Sequence, residues 1–266
     1  MSTYTWNASD YAQHSAAQQT WARELLQKLA LQGHETVLDI GCGDGKVTAE
    51  IATHLTTGAI AGIDSSAAMI DLAQQHYART EPPLITFQVA DAQALPAEFR
   101  DRFTTVFSNA VLHWVPDHLA VLQGIKRSLQ PGGKVLLQMG GKGCGAEIFA
   151  IAQRLIQTPP WAAYFTDFQF PYHFHAPADY LPWLEAAGLR PLRVELLAKD
   201  MTHPDAAGLA GWIRTTWLPF LHHIPPAQQE TWIDAVVSHY LSEHPPSADG
   251  QTHVPMTRLE VEAGKD

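Results

Sequence analysis

The sequence predicts an α/β fold, a mostly parallel sheet with helices on both faces. Three observations carry that expectation. Short runs of β-branched and apolar residues recur through the first half of the chain, segments with helical spacing separate them, and the first junction, "LDIGCGDGKV", holds three glycines on alternate positions. Strand and helix alternating in this way imply right-handed crossovers, which bring the carboxyl ends of the parallel strands to one edge of the sheet.

The elements follow in order. Residues 9–31 read as an N-terminal helical cover. Thr36–Ile40 reads as a buried strand closed by Gly41, and residues 46–55 as a helix with Val47, Ile51 and Leu55 along one face. "GAIAGIDSSAAMIDLAQQHY" repeats the plan: a small apolar strand ends at Asp64, Ser65 or Ser66 caps the next helix, and Met69, Leu72 and Ala73 extend its apolar stripe. "ITFQVADAQALP" carries the third strand, ending at Asp91 and Ala92, while "FTTVFSN" is the fourth and "GGKVLLQM" the fifth. Beyond Met139 an aromatic and proline-rich tract occupies residues 158–180. A sixth strand is expected at 189–199, helices at 205–221 and 226–242, and a closing strand at 252–263. With no repeat and no low-complexity linker, the chain reads as one domain, 1–266. Its parts are a cover at 1–32, a ligand-binding core at 33–140, substrate-cover segments at 141–188 and 204–245, and C-terminal strands at 189–199 and 252–263.

The glycine spacing narrows the ligand. A dinucleotide fingerprint runs G-x-G-x-x-G and a phosphate loop runs G-x-x-x-x-G-K-[ST], whereas Gly41, Gly43 and Gly45 give G-x-G-x-G and Val47 follows Lys46. Asp39, two places before the first glycine, would repel a pyrophosphate. A ligand with positive charge fits better, and S-adenosylmethionine (SAM) carries a sulfonium and an ammonium. Asp64, at the end of the second strand, is placed to accept hydrogen bonds from ribose hydroxyls. Asp91 and Ala92 are placed at the amino edge of an adenine.

Composition excludes several function classes. A formal charge of −10 disfavours a nucleic-acid partner. No apolar run reaches the ~20 residues of a membrane span, and the start lacks a basic-then-apolar signal, so a cytoplasmic enzyme is expected. The two cysteines, Cys42 and Cys144, are too few for a disulfide framework or a thiolate metal cage.

In order along the chain, "VLDIGCGDG", "GIDSSAAMI", "VADAQALP", "FTTVFSNAVLHWVPD" and "LQPGGKVLLQM" resemble the motifs of class I SAM-dependent methyltransferases. The N-terminal "WNASDYAQHSAAQQ", the "LHWVPDH" segment and the closing "HVPMTRLEVEA" resemble those of the trans-aconitate and juvenile hormone acid methyltransferases, which methylate carboxylates. The resemblance implies a Rossmann-like, seven-stranded sheet with the N-terminal cover and a helical insertion over the active site. It also implies SAM as cofactor, without a metal, contacted by Asp39, Gly41, Cys42, Gly43, Gly45, Asp64, Ser65, Met69, Asp91, Ala92 and Asn109. Two cysteines are few for an arsenic methyltransferase.

Methyl transfer from a sulfonium is an in-line displacement, so alignment and desolvation supply most of the catalysis. A carboxylate acceptor, with a reference pKa of ~4, is already ionised and needs no general base. Clamps and apolar walls should then dominate the site. Trp6, Tyr11, Trp114, Trp161, Tyr164, Phe165, Trp212 and Trp217 fall in the cover segments, and Tyr11, Trp114, Tyr164, Trp212 and Trp217 are the candidate substrate wall. Gln18 shares a helix face with Ala22, Leu25 and Leu29, where a glutamine needs a partner, and the indole N–H of Trp114 is a donor just after the fourth strand. Both align with residues of the juvenile hormone acid methyltransferases, and that resemblance implies a pair gripping the substrate carboxylate. Of 14 histidines, His113 directly follows the fourth strand and is the candidate base or positive charge, ahead of His173, His175, His222 and His223 in the insertion. The acceptor is accordingly expected to be a small-molecule acid, for which a monomer suffices. A phenol, an amine, a lipid carbon or a carrier-bound acid remains the alternative, as does a SAM-binding sensor or assembly protein without catalysis.

Overall fold

The computed structural model describes residues 16–266, with side chains described from Trp21 onward. The described elements are α1 (Ala16–Leu29), β1 (Thr36–Ile40), α2 (Lys46–Ala52), β2 (Ala59–Asp64), α3 (Ala67–Tyr77), β3 (Leu84–Val89), β4 (Phe103–Asn109), α4 (His118–Ser128), β5 (Leu129–Gly140), α5 (Ala146–Leu155), α6 (Pro177–Ala187), β6 (Arg190–His203), α7 (Ala206–Thr216), α8 (Leu218–Leu221), α9 (Pro226–Glu243) and β7 (Thr252–Gly264). The seven strands form one sheet in the order β3-β2-β1-β4-β5-β7-β6. Neighbours from β3 to β5 are parallel, and β7 is antiparallel to β5. The Rossmann-like, mostly parallel architecture expected from the sequence is therefore the one observed.

The chain divides into two compact units. The larger comprises Gln18–Lys142, Tyr172–Leu197 and Arg258–Asp266, and Gly143–Pro171 and Ala198–Thr257 belong to the smaller. In the larger unit, two apolar clusters follow from strands buried on both faces. One gathers Leu38, Ile40, Val106, Leu122, Leu137 and Val261, and the other Leu25, Val37, Ile51, Leu55, Ile60 and Phe107. Each such side chain contributes ~1.5–3 kcal/mol on burial. Helix starts are fixed locally: Ser66 Oγ accepts from the Met69 N–H at 3.4 Å, and Asp117 Oδ1 from the Ala120 N–H at 2.9 Å.

Strand order reverses between β1 and β4. That reversal opens a crevice at the carboxyl ends of the two strands, the usual ligand position in open α/β sheets.

The smaller unit packs α5 and α7 against α9. Its core is aromatic: Trp217 stacks on Phe149 at 4.6 Å between centroids, and Phe220 on Trp232 at 5.7 Å. The helix expected over 205–221 divides here into α7 and α8, because Pro219 has no N–H to donate and its ring crowds the carbonyl four residues back. The sixth strand, expected to stop at residue 199, continues to His203, where Pro204 follows.

Candidate active site

The glycine turn after β1 lies wholly in the larger unit. The N–H groups of Gly41 and Cys42 donate to the Ile63 carbonyl at 2.7 and 2.9 Å, which ties the turn to the end of β2. Gly41, Gly43 and Gly45 all have left-handed φ, at 76°, 53° and 84°. A Cβ on Gly41 would stand 2.2 Å from a Val111 methyl, so glycine there lets the loop after β4 close on the turn. A Cβ on Gly43 would meet nothing within 4 Å. Gly43 thus presents open backbone at the crevice, a cradle that a side chain would fill.

Two carboxylates border this cradle. Asp64 accepts from the Gly43 N–H at 3.0 Å through Oδ2 and from the Ser66 N–H at 2.9 Å through Oδ1, leaving a further lone pair on each oxygen. Burial raises its pKa, against the pull of those backbone hydrogen bonds. Asp39 is 2% exposed and accepts from Thr48 Oγ1 at 2.6 Å. Its pKa is pushed up to about 7, by burial first and by repulsion from Asp64, while the Thr48 hydrogen bond works the other way. Burial and the same carboxylates keep the Cys42 thiol protonated. The end of β4 adds Asn109, whose Oδ1 is buried without a hydrogen-bond partner. The next residue, Ala110, holds a φ of 60°, strain of the kind concentrated at functional loops. Negative potential, a ribose acceptor, bare backbone and an orphaned amide oxygen fit the cofactor inferred from the sequence.

The acceptor half of the larger unit follows β4. His113 and Trp114 occupy a short helical turn, and the Gly140 N–H approaches His113 Nδ1 at 3.3 Å. The His173 N–H donates to the His113 carbonyl at 2.8 Å, laying Tyr172 beside Trp114 with ring centroids 4.7 Å apart. Burial holds the His113 pKa well below its usual value, with help from the Arg258 cation and from His118. His118 Nδ1 and Tyr180 Oη share a hydrogen bond of 2.5 Å, and the Tyr180 hydroxyl contacts Met139 Sδ at 3.1 Å. The His118 pKa is pushed down to about 3 by burial first, then by His175 and His173. Arg258 stands on β7 opposite Gly140, 5% exposed, with its guanidinium 5.4 Å from the Trp21 ring centroid.

The structure brings together the sequence-derived set at the strand ends: Asp39, Gly41, Cys42, Gly43, Gly45 and Asp64 in the turn, with Asn109, His113 and Trp114 after β4. Ser65 is exposed beside Asp64, and Met69 is buried on α3. Asp91 holds the Gln93 N–H at 2.8 Å, and Ala92 packs on the core below. Trp212 and Trp217, 5% and 1% exposed, pack in the core of the smaller unit, where Tyr164 donates to Gln228 Oε1 at 3.1 Å. Tyr11, Trp6 and the Gln18 side chain lie outside the described residues. Sequence reasoning did not single out Arg258, His118, Tyr172 or Tyr180. For Arg258 a signal existed: Val254, Met256 and Arg258 alternate along β7, which turns an arginine to the buried side.

Fold and site together define an enzyme of the SAM-dependent methyltransferase class. A methyltransferase domain family matches residues 37–133. Trans-aconitate 2-methyltransferase of Methylobacterium radiotolerans is 30% identical, covering 98% of each chain, and that of Methylobacterium nodulans is 31% identical, covering 96% of each. A methyltransferase structure from Bacillus halodurans superposes with a TM-score of 0.63 at 16% identity, covering 92% of this chain and 99% of that one. The chain belongs to the SAM-dependent methyltransferase family that contains these trans-aconitate 2-methyltransferases.

Proposed function

We propose that this enzyme methylates a carboxylate oxygen of a small organic acid of the trans-aconitate kind, giving a methyl ester. The observation that carries the reading is similarity, along nearly the whole chain, to relatives named for that reaction. Bound SAM supplies an electrophilic methyl on a sulfonium. The chain's own work is to hold the acceptor in line and to exclude water. Asp64 would hold the ribose through its remaining lone pairs, and the open Gly43 backbone would face the cofactor. Because the acceptor is ionised at neutral pH, no base is required, which agrees with a His113 kept neutral and enclosed.

The Trp114 indole N–H and the Gln18 amide grip the two oxygens of the reacting carboxylate. Gln18 stands one helical turn before Trp21 on α1. Tyr172 backs the Trp114 ring and fixes its plane. One chain suffices for the reading, which is of a cytoplasmic enzyme acting on a small molecule and not on a nucleic acid or a membrane. Among the described residues, no helix is long and apolar enough to cross a membrane.

The test measures S-adenosylhomocysteine release, at saturating SAM, against panels of acids, phenols and amines. Turnover is expected with acids alone, at a rate flat from about pH 6 to 8. Trp114→Phe should lower kcat/KM by about tenfold or more, the cost of one donor, while the melting temperature stays near wild type. Turnover of phenols or amines with a rising acid limb would move the reading to those acceptors. SAM binding without turnover on any panel member would make the protein a sensor.

A further inference from the structure

The two outer strands of the sheet differ in protection. On β3, the backbone of Ile85 exchanges hydrogen bonds of 3.0 and 3.2 Å with Arg79, which covers part of that edge. β6 ends the sheet on the other side, and no described strand pairs with its outer edge. Free N–H and C=O groups recruit other strands, so edges are normally blunted by proline, lysine or a covering segment. In β6, Pro191 and Lys199 stand near the two ends, and residues 192–198 between them include neither. Two exposed leucines lie in this stretch, Leu192 at 55% and Leu196 at 38% exposure. Strand residues alternate between faces, so both share a face with Val194, which packs into the cluster that α6 joins through Tyr180, Leu184 and Ala187. Arg193 and Glu195 pair with each other on the opposite face, where Arg193 also meets Glu260 and Glu262. The open backbone edge is thus flanked by an apolar row on one side and an ion pair on the other.

That pattern is self-complementary. A two-fold axis perpendicular to the sheet sets β6 antiparallel to β6 of a second copy and keeps every side chain on its own face, so the axis must pass at one residue. At Val194, Leu192 meets the second copy's Leu196, and Arg193 meets its Glu195. Moving the axis to either neighbour sets Arg193 against Arg193 or Glu195 against Glu195. An axis at Leu196 sets Arg193 against Lys199, and one at Leu197 pairs Glu195 with Lys199 but leaves Leu192 facing Thr202. Directly opposed like charges destabilise a strand pair and apolar or oppositely charged pairs support it, so charge and hydrophobicity select Val194 together. The strand holds Arg190, Arg193 and Lys199 against Glu195 and Asp200. It therefore escapes the repulsion that a formal charge of −10 sets up between copies over the rest of the surface. We propose that β6 is the docking edge for a second copy of this chain, joined antiparallel about Val194 into one continuous sheet.

The experiment uses the whole chain. Sedimentation velocity from about 1 to 100 μM follows its mass through the range of weak and stable pairing. Wild type should reach twice the chain mass. Each substitution at the edge acts twice across the axis, so Leu192→Lys and Glu195→Lys should each raise the dissociation constant by about tenfold or more. Both side chains are exposed, and melting temperatures should stay near wild type. If Glu195→Lys disturbs folding, Leu192→Lys carries the test. Cysteines then read the register, because the native Cys42 and Cys144 are buried. Val194→Cys should form a disulfide between copies on mild oxidation, since Cβ atoms directly opposite lie about 4.5–5.5 Å apart. Leu196→Cys alone should not, its counterpart lying four residues along the strand. A wild type still monomeric at about 100 μM would overturn the inference. So would a dimer indifferent to both lysine variants, or crosslinking through Leu196→Cys in place of Val194→Cys. None of these outcomes bears on the methylation reading, which needs only one chain.

Discussion

Alanine at Gly43 should separate cofactor binding from folding. The residue has φ 53°, and an added Cβ meets nothing within 4 Å, so the protein bears only the cost of a left-handed alanine. That cost is ~1–2 kcal/mol, or a melting shift of about 2–8 °C at ~2–4 °C per kcal/mol. The same methyl occupies the cradle, and SAM affinity should fall by about tenfold or more, equivalent to ~1.4 kcal/mol. Gly41→Ala is the contrast. Its Cβ would lie 2.2, 2.4 and 2.7 Å from three atoms of Val111, adding an overlap to the same backbone strain. Overpacking of this kind costs a further ~1–3 kcal/mol, and Val111→Ala should relieve part of it. Thermal unfolding without ligand and calorimetric titration with SAM read the two quantities separately. The reasoning fails if Gly43→Ala binds SAM like wild type, or if its ligand-free form is as unstable as Gly41→Ala.

Two pH effects follow from the buried titratable groups. Asp39 has its pKa raised to about 7, and a cationic cofactor favours its ionised form. SAM binding should therefore release a proton and tighten about tenfold from pH 6 to 8. Calorimetry in buffers of different ionisation enthalpy measures that proton, and an undiminished release in Asp39→Asn would refute the assignment. His118, depressed to about 3, stays neutral in the folded protein while the unfolded chain binds a proton below ~6.5. Its contribution is present above that value and lost as pH falls toward 3; by pH 5 the loss is ~2 kcal/mol. Denaturant midpoints against pH should be flatter in His118→Phe, and parallel curves would count against the explanation.

The cofactor half of the site was legible because every residue in it lies at a strand end fixed by local pattern. Apolar runs and glycines located β1, and the alternation of strand with helix carried Asp64 and Asn109 to the same edge. The acceptor half was less legible. His118 and Tyr180 are 62 positions apart, and no local period reports that they share a hydrogen bond. Arg258 comes opposite Gly140, whose N–H approaches His113, only through the register of β7 on β5, a long-range pairing. The missed break at Pro219 is different in kind, since the proline itself marked it. The extension of β6 was hidden by alternation: Met201 and His203 are buried while Asp200 and Thr202 are exposed, and no turn residue intervenes before Pro204.

The place of β7 in the sheet has a consequence for the order of assembly. It follows β6 in the chain yet lies between β5 and β6, so the edge of β5 stays without its partner until the residues around 252–264 have been synthesised. Glu260, on that strand, accepts from Gln138 at 2.9 Å, from Lys28 of α1 at 2.6 Å and from Arg193 of β6. One carboxylate therefore joins elements made first, midway and last, across a separation of 232 residues from Lys28. A nascent chain can form β1 to β4 on the ribosome, but α1 and β6 acquire this anchor only with the final strand. Until then β5 offers an open edge to any other extended segment, the situation in which nascent domains recruit chaperones or aggregate.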